Sequence, residues 1–186
     1  VIMNSSIMLS DQESVWIDNG GISVAYFCKN KPVRVDQAVI EELKNIASTL
    51  GDRNVRLCLH ESPEANFHDM VIFERSGRYY RPHKHHGNGE SFHIIEGKMA
   101  VFGFDDSGNI TDACLMEAHS NVMYRTGPDM YHTTVPLSDF VIYHEARPGP
   151  FIRNADNILA PWAPDGSDAQ EVADFRDSLL IALEDN

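Results

Sequence analysis

At 186 residues, with 42% of them hydrophobic, the chain is large enough to bury a full core without disulfide or metal staples, and it is expected to form one domain. Its formal net charge of −13 argues against nucleic acid or an anionic membrane as partner, because both are polyanions. The three cysteines, Cys28, Cys58 and Cys114, are odd in number and form no CxxC pair, so a reducing cytoplasm is the expected location.

No stretch approaches the ~18 apolar residues of a membrane helix, and Val1–Ser10 lacks the charged and apolar regions of a signal peptide. Met3 or Met8 is expected as the natural start. Residues 11–30 read as two short strands around Asp18-Asn19-Gly20-Gly21, with Val24–Phe27 the clearest. A helix follows from about Asp36 to Leu50: Val39, Leu43, Ile46 or Ala47, and Leu50 recur at helical spacing, Asp36 caps the start and Gly51 ends it.

From Asn54 the period changes to two. Val55, Leu57 and Leu59 alternate with Arg56, Cys58 and His60, so Arg56 and His60 share a face, turned either into a ligand cavity or out to solvent. Strands are expected at Met70–Phe73, Tyr79–His85, Ser91–Ile95, Lys98–Phe104, Cys114–Glu117, Val122–Tyr124, Tyr131–Val135 and Phe140–His144. Many short strands with no helices between them imply an antiparallel sandwich or closed barrel. The tail changes character. Arg147-Pro148-Gly149-Pro150 is not expected in a central strand, and Ala160-Pro161-Trp162-Ala163-Pro164 reads as an irregular arm anchored by its tryptophan. Ser167 to Gln170 reads as a capping box for a last helix with Val172, Phe175, Leu179 and Ala182 or Leu183 on one face.

The chemistry concentrates between Gly77 and Gly97. On a strand, His83 and His85 point to the same side. His86-Gly87-Asn88-Gly89 is a turn, and Glu90 opens the next strand and swings back over that side, so the hairpin offers two imidazoles and a carboxylate to a divalent transition metal. Tyr79 and Arg81 share the alternation and are expected at the mouth of the same site. Of the other histidines, His86 belongs to the turn, His93 to the opposite strand face, and His68, His119 and His144 have no ligand spacing.

This stretch resembles the first cupin motif, with Gly77, His83, His85, Glu90 and Gly97 at its spacing. The second cupin motif supplies a fourth ligand histidine, and His132 in Gly127-Pro128-Asp129-Met130-Tyr131-His132 takes that place. Gly127 stands where the motif has proline and Asp129 where it has glycine, which puts the turn before His132 in question. The Arg-Pro-His-x-His core, the strand Arg56–His60 and the tail Pro-Gly-Pro-Phe with Ala-Pro-Trp-Ala-Pro are similar to the WbuC-type cupin metalloproteins, over roughly residues 15–165. Those proteins occur in surface-polysaccharide gene clusters.

The resemblance implies an all-β fold, a double-stranded β-helix or jelly-roll barrel with an N-terminal flanking helix and a C-terminal helix. The expected division is 1–53 for the N-terminal strands and helix, 54–147 for the barrel, and 148–186 for the arm and last helix. It further implies one divalent metal (Fe, Mn, Zn or Ni) and, as in many cupins, a homodimer through a sheet edge or the terminal helix. Arg56 and Arg81 suit an anionic or sugar-like small molecule, and His60 and Tyr79 are the candidate acid–base residues. A metal-dependent isomerase or epimerase, a non-haem Fe(II) dioxygenase and a non-catalytic small-molecule binding or sensing module are the three functions such a site allows.

Overall fold

A computed structural model describes residues 7–152 and 157–184; Met3, one of the two expected starts, lies outside them. The first hairpin forms as expected. Strands β1 (Val15–Asp18) and β2 (Val24–Cys28) pair antiparallel, and Asp18 Oδ1 accepts the Gly20 N–H in the turn. Helix α1 (Gln37–Thr49) starts at Asp36, whose carboxylate accepts the Val39 N–H, and Gly51 follows its end at φ +64°. Strand β3 (Val55–Cys58) then runs parallel to β2, which the intervening helix makes possible.

Strands β4 (Phe67–Arg75), β5 (His83–Lys84), β6 (Ser91–Glu96), β7 (Lys98–Phe104), β8 (Ile110–Glu117), β9 (Met123–Arg125), β10 (Tyr131–Pro136) and β11 (Phe140–Pro148) build the barrel. They fall into two sheets. One has seven strands in the order β1-β2-β3-β4-β11-β6-β9; the other has five, β12-β5-β10-β7-β8, with β12 (Ile158–Leu159) supplied by the tail.

Alternation along each strand sorts the side chains into layers. Val24, Tyr26, Val55, Leu57, Val71 and Phe73 face outward and are covered by Val39, Ile40, Leu43 and Ala47 of α1. Between the sheets Ala25, Phe27, Ile72, Phe92, Val101 and Tyr143 are among the packed residues. On the far side Phe102, Phe104 and Tyr131 are covered by Trp162 and by helix α2 (Ala169–Glu184), with Phe175, Leu179 and Leu183 toward the sheet. The apolar stripe of α2 is therefore matched by its own chain.

Four expectations are corrected. The strand at Tyr79–His85 shrinks to His83–Lys84, since residues 79–82 lead up to it without pairing and Pro82 has no N–H to give a ladder. The last long strand continues past His144 to Pro148, because Pro148 stands where only β4 is alongside and β6 has already ended at Ser91. Helix α2 is capped by Asp168, whose Oδ1 accepts the Gln170 and Glu171 N–H groups at 2.7 and 3.3 Å, in place of Ser167. Finally, β5 and β6 do not form a hairpin. They lie in opposite sheets, and the His86–Gly89 turn carries the chain across the sandwich.

Candidate metal centre

The crossing between sheets is what assembles the cluster. His83 sits on β5 and His132 directly opposite it on β10, as cross-strand partners. His85 lies just beyond β5, and Glu90 just before β6 comes from the other sheet to meet them. One ligand atom from each of His83, His85, Glu90 and His132 falls within 4.8 Å of all the others. His132 Nε2 stands 2.5 Å from Glu90 Oε1, and His85 Nε2 stands 3.3 Å from Glu90 Oε2. His85, Glu90 and His132 are buried and His83 is half-buried.

The backbone fixes these groups. Gly89 is required because a β-carbon there would lie 2.3 Å from the Thr126 carbonyl oxygen. That close approach lets Thr126 Oγ1 accept the Glu90 N–H at 2.8 Å, while the Thr126 N–H donates to the Glu90 carbonyl at 2.9 Å. The altered turn before His132 is held through Asp129. Asp129 adopts φ +58°, the left-handed conformation, and its Oδ1 accepts the Gly87 N–H at 3.2 Å. The second motif is thereby tied to the turn of the first.

Electrostatics suit a cation. The Nδ1 atoms of His83 and His132 stand 3.3 and 3.0 Å from the Arg81 and Met130 carbonyls, which turns each Nε2 toward the centre. Burial, followed by the nearby charge of His132, lowers His83 to about 4, so its ring is a neutral donor at neutral pH. Burial works to raise Glu90, but hydrogen bonds from His132 and His85 outweigh it and hold the carboxyl well below its usual range. Three imidazoles and one carboxylate so placed could hold a divalent transition metal, and they fit one well.

A cavity of about 280 Å³ opens beside the cluster, with His83, Glu90 and His132 on one wall. Arg56 is turned inward and lines it, together with Arg147, Glu145, Glu74 and Tyr80. A second hollow of about 320 Å³ shares Arg56, Glu145 and Arg147 with the first, and His60 lines it. His60 is buried, stacked on His68 at 4.3 Å between ring centroids, with Nδ1 accepting the Asp69 N–H at 3.1 Å. Burial, with the charge of His68, lowers its imidazole to about 4.

Tyr79 and Arg81 are placed elsewhere. The Tyr79 hydroxyl donates to the Pro164 carbonyl at 2.8 Å, and Arg81 donates through Nε and Nη2 to the Ala160 carbonyl at 2.9 and 2.7 Å. Both line a wider groove of about 760 Å³ beneath α2, outside the sandwich. Sequence reasoning misses Arg147, Glu145 and Glu74. A signal exists for two of them: continuing the Val141, Tyr143 alternation past His144 puts Glu145 and Arg147 on the inner face. Arg147 also reaches the cluster, its Nη1 donating to His85 Nδ1 at 3.4 Å.

Residues 35–116 match the model of a domain of unknown function, DUF6016. No curated protein matches the sequence. Among solved structures the chain is similar to the capsular polysaccharide assembling protein CapF from Staphylococcus aureus, with a TM-score of 0.50 and 16% identity, over 59% of this chain and 32% of CapF. It spans only about a third of that protein. It is also similar to the Cnp3 cupin domain of Schizosaccharomyces pombe (TM-score 0.41, 16% identity, 51% of this chain and 64% of that one). A third likeness is to L-ribose isomerase from Cellulomonas parahominis (TM-score 0.43, 16% identity, 55% and 62% covered). Two facing sheets, a flanking helix on either side and the ligand cluster at the crossing between the sheets give this chain the cupin fold.

Proposed function

We propose that the protein is a divalent-metal cupin acting on an anionic or sugar-like small molecule, as an isomerase or epimerase. The observation that carries this reading is the join between cluster and cavity: His83, Glu90 and His132 line one wall, and Arg56 and Arg147 line the same space. A divalent metal held by the four residues would polarise a substrate carbonyl or hydroxyl. Arg56 and Arg147 would bind a carboxylate or phosphate and fix its orientation against the cluster. Phe92, buried between the sheets, lines the same space.

The polysaccharide setting rests on the WbuC-type resemblance, with CapF's role in capsular polysaccharide assembly in agreement. Cytoplasmic location and a homodimer belong to the same reading. Among the described residues no helix is long and apolar enough to cross a membrane.

The test begins with elemental analysis of protein purified without an affinity metal. About one equivalent is expected in the wild type, and its loss is expected in both His83→Ala and His132→Ala. Metal-loaded protein is then offered sugar acids and sugar phosphates without oxygen, where isomerised product is expected with Mn²⁺ or Zn²⁺. Oxygen uptake seen only with Fe(II) would replace this reading with the dioxygenase. Tight binding without product would leave a binding module.

A further inference from the structure

Glu74 lies on the inner face of β4, buried to 2% exposure, in the same cavity wall as the cluster. The Tyr143 hydroxyl donates to its Oε2 at 2.8 Å, whereas its Oε1 has no hydrogen-bond partner among the described residues. A bare carboxyl oxygen in a protein interior is unfavourable, and folds keep few of them without a use. Arg56 Nε, in the same cavity, is likewise without a hydrogen-bond partner among the described residues. Two buried polar atoms thus stand idle beside a metal cluster, in a space of about 280 Å³ able to take a small ligand.

We propose that Glu74 is the proton-transferring residue of this cavity, its Oε1 taking a proton from the substrate carbon beside a carbonyl and returning it to the neighbouring carbon. The proposal rests on the isomerase reading and names the residue that would perform it. In the first half the C–H bond breaks and its proton goes to Oε1. The electron pair of that bond becomes a C=C bond, and the carbonyl π pair moves onto oxygen. In the second half Oε1 delivers a proton, the one it took or one exchanged with water, to the adjacent carbon, a proton passes from one substrate oxygen to the other, and the carbonyl re-forms at the new position. Nothing is oxidised or reduced beyond the substrate's own two carbons.

The surroundings suit that task. Glu74 is faced by Tyr143 and Glu145 from β11, by Arg56 from β3, and by Arg78 and Tyr80 from the segment before β5. Asn54 holds the Tyr80 hydroxyl at 2.8 Å. Burial pushes the Glu74 carboxyl up to about 7, against the hydrogen bond from Tyr143. A group poised there both accepts and releases a proton near neutral pH. Tyr143 occupies Oε2, so Oε1 is the oxygen available to a substrate.

Metal-loaded wild type, Glu74→Gln and Tyr143→Phe are incubated in heavy water with D-ribose, D-xylose, D-mannose and the corresponding sugar phosphates, and loss of the α-proton signal is followed by NMR. The wild type is expected to exchange the α-proton of at least one of these sugars. Glu74→Gln should be slower by about 100-fold or more, with metal content unchanged. Tyr143→Phe removes the bond that lowers Glu74, so its rate–pH profile should move to higher pH; this arm stands even if Glu74→Gln does not fold. Infrared difference spectra near pH 6 should show one protonated-carboxyl band present in the wild type and missing in Glu74→Gln. Equal exchange in wild type and Glu74→Gln, an unmoved profile in Tyr143→Phe, or no such band would overturn the assignment while leaving the isomerase reading in place. A wild type that exchanges no sugar on the panel would overturn both.

Discussion

Asp129 holds φ at +58°, where the β-carbon of an L-residue crowds the following carbonyl oxygen. Aspartate tolerates that conformation better than most residues, and here its carboxylate also binds the Gly87 N–H and His86 Nδ1 at 3.2 Å each. Replacing it with alanine keeps the strain and removes both contacts. Asp129→Ala should therefore lose about 1–2 kcal/mol of unfolding free energy in urea titrations, whereas Asp129→Gly should stay within about 1 kcal/mol of wild type. A glycine variant as unstable as the alanine one would show that the carboxylate contacts matter and the backbone conformation does not. The sequence shows a departure from the motif at this position but not its repair, because the repair depends on Gly87, 42 residues earlier. Arg56 was legible as one member of an alternating polar pair. Its direction was not, since alternation divides residues into two faces without saying which face is inside.

At the scale of elements, β5 is only His83–Lys84, held between β10 on one side and β12 on the other. Around it the Ala160 N–H donates to the Pro82 carbonyl at 2.8 Å, and Arg81 grips the Ala160 carbonyl with two donors. Arg81→Met keeps much of the side-chain volume and removes that grip. A charged hydrogen bond to a partly buried carbonyl is worth about 1.5–3 kcal/mol, so the variant should melt earlier by a comparable amount and be cut by protease within residues 157–164. Unchanged melting and protection would sink the idea that Arg81 anchors the arm. The long elements were readable because period signals accumulate over many residues, as in α1 with its Asp36 cap and Gly51 stop, or in β7. A two-residue strand leaves no such signal. Neither does β12, whose Ile158 and Leu159 qualify as a strand only through the edge they meet. The same limit hid the sheet change after His85, since residues 86–89 suit a hairpin as well as a crossing.

Taken whole, the molecule holds two of its buried ionisable groups, His60 and Glu74, neutral. His60 is lowered from 6.5 to about 4, first by burial and then by the charge of His68, so it contributes stability above pH 6.5 that is lost as pH falls toward 4. Glu74 is raised from 4.5 to about 7, mainly by burial, so its contribution is complete below pH 4.5 and lost as pH rises through 7. Each tenfold change in proton affinity between the folded and unfolded chain is worth about 1.4 kcal/mol, so Glu74 accounts for roughly 3 kcal/mol across that window. The unfolding free energy of wild type relative to Glu74→Gln should therefore fall between about pH 4.5 and 7 and then level off. The same comparison with His60→Asn should run the other way, wild type losing ground on the acid side. A flat difference in either series would place that group in contact with water. The arm, for its part, comes late in the chain and borders the strand that carries His83. β5 gains its second neighbour only once Leu159 is available beside His83, and Arg81 and Ala160 lie 79 residues apart in the chain. During synthesis His83, His85, Glu90 and His132 therefore all emerge before the segment that closes the outer edge of β5, and the sheet that carries His83 and His132 stays open on that side until the arm follows.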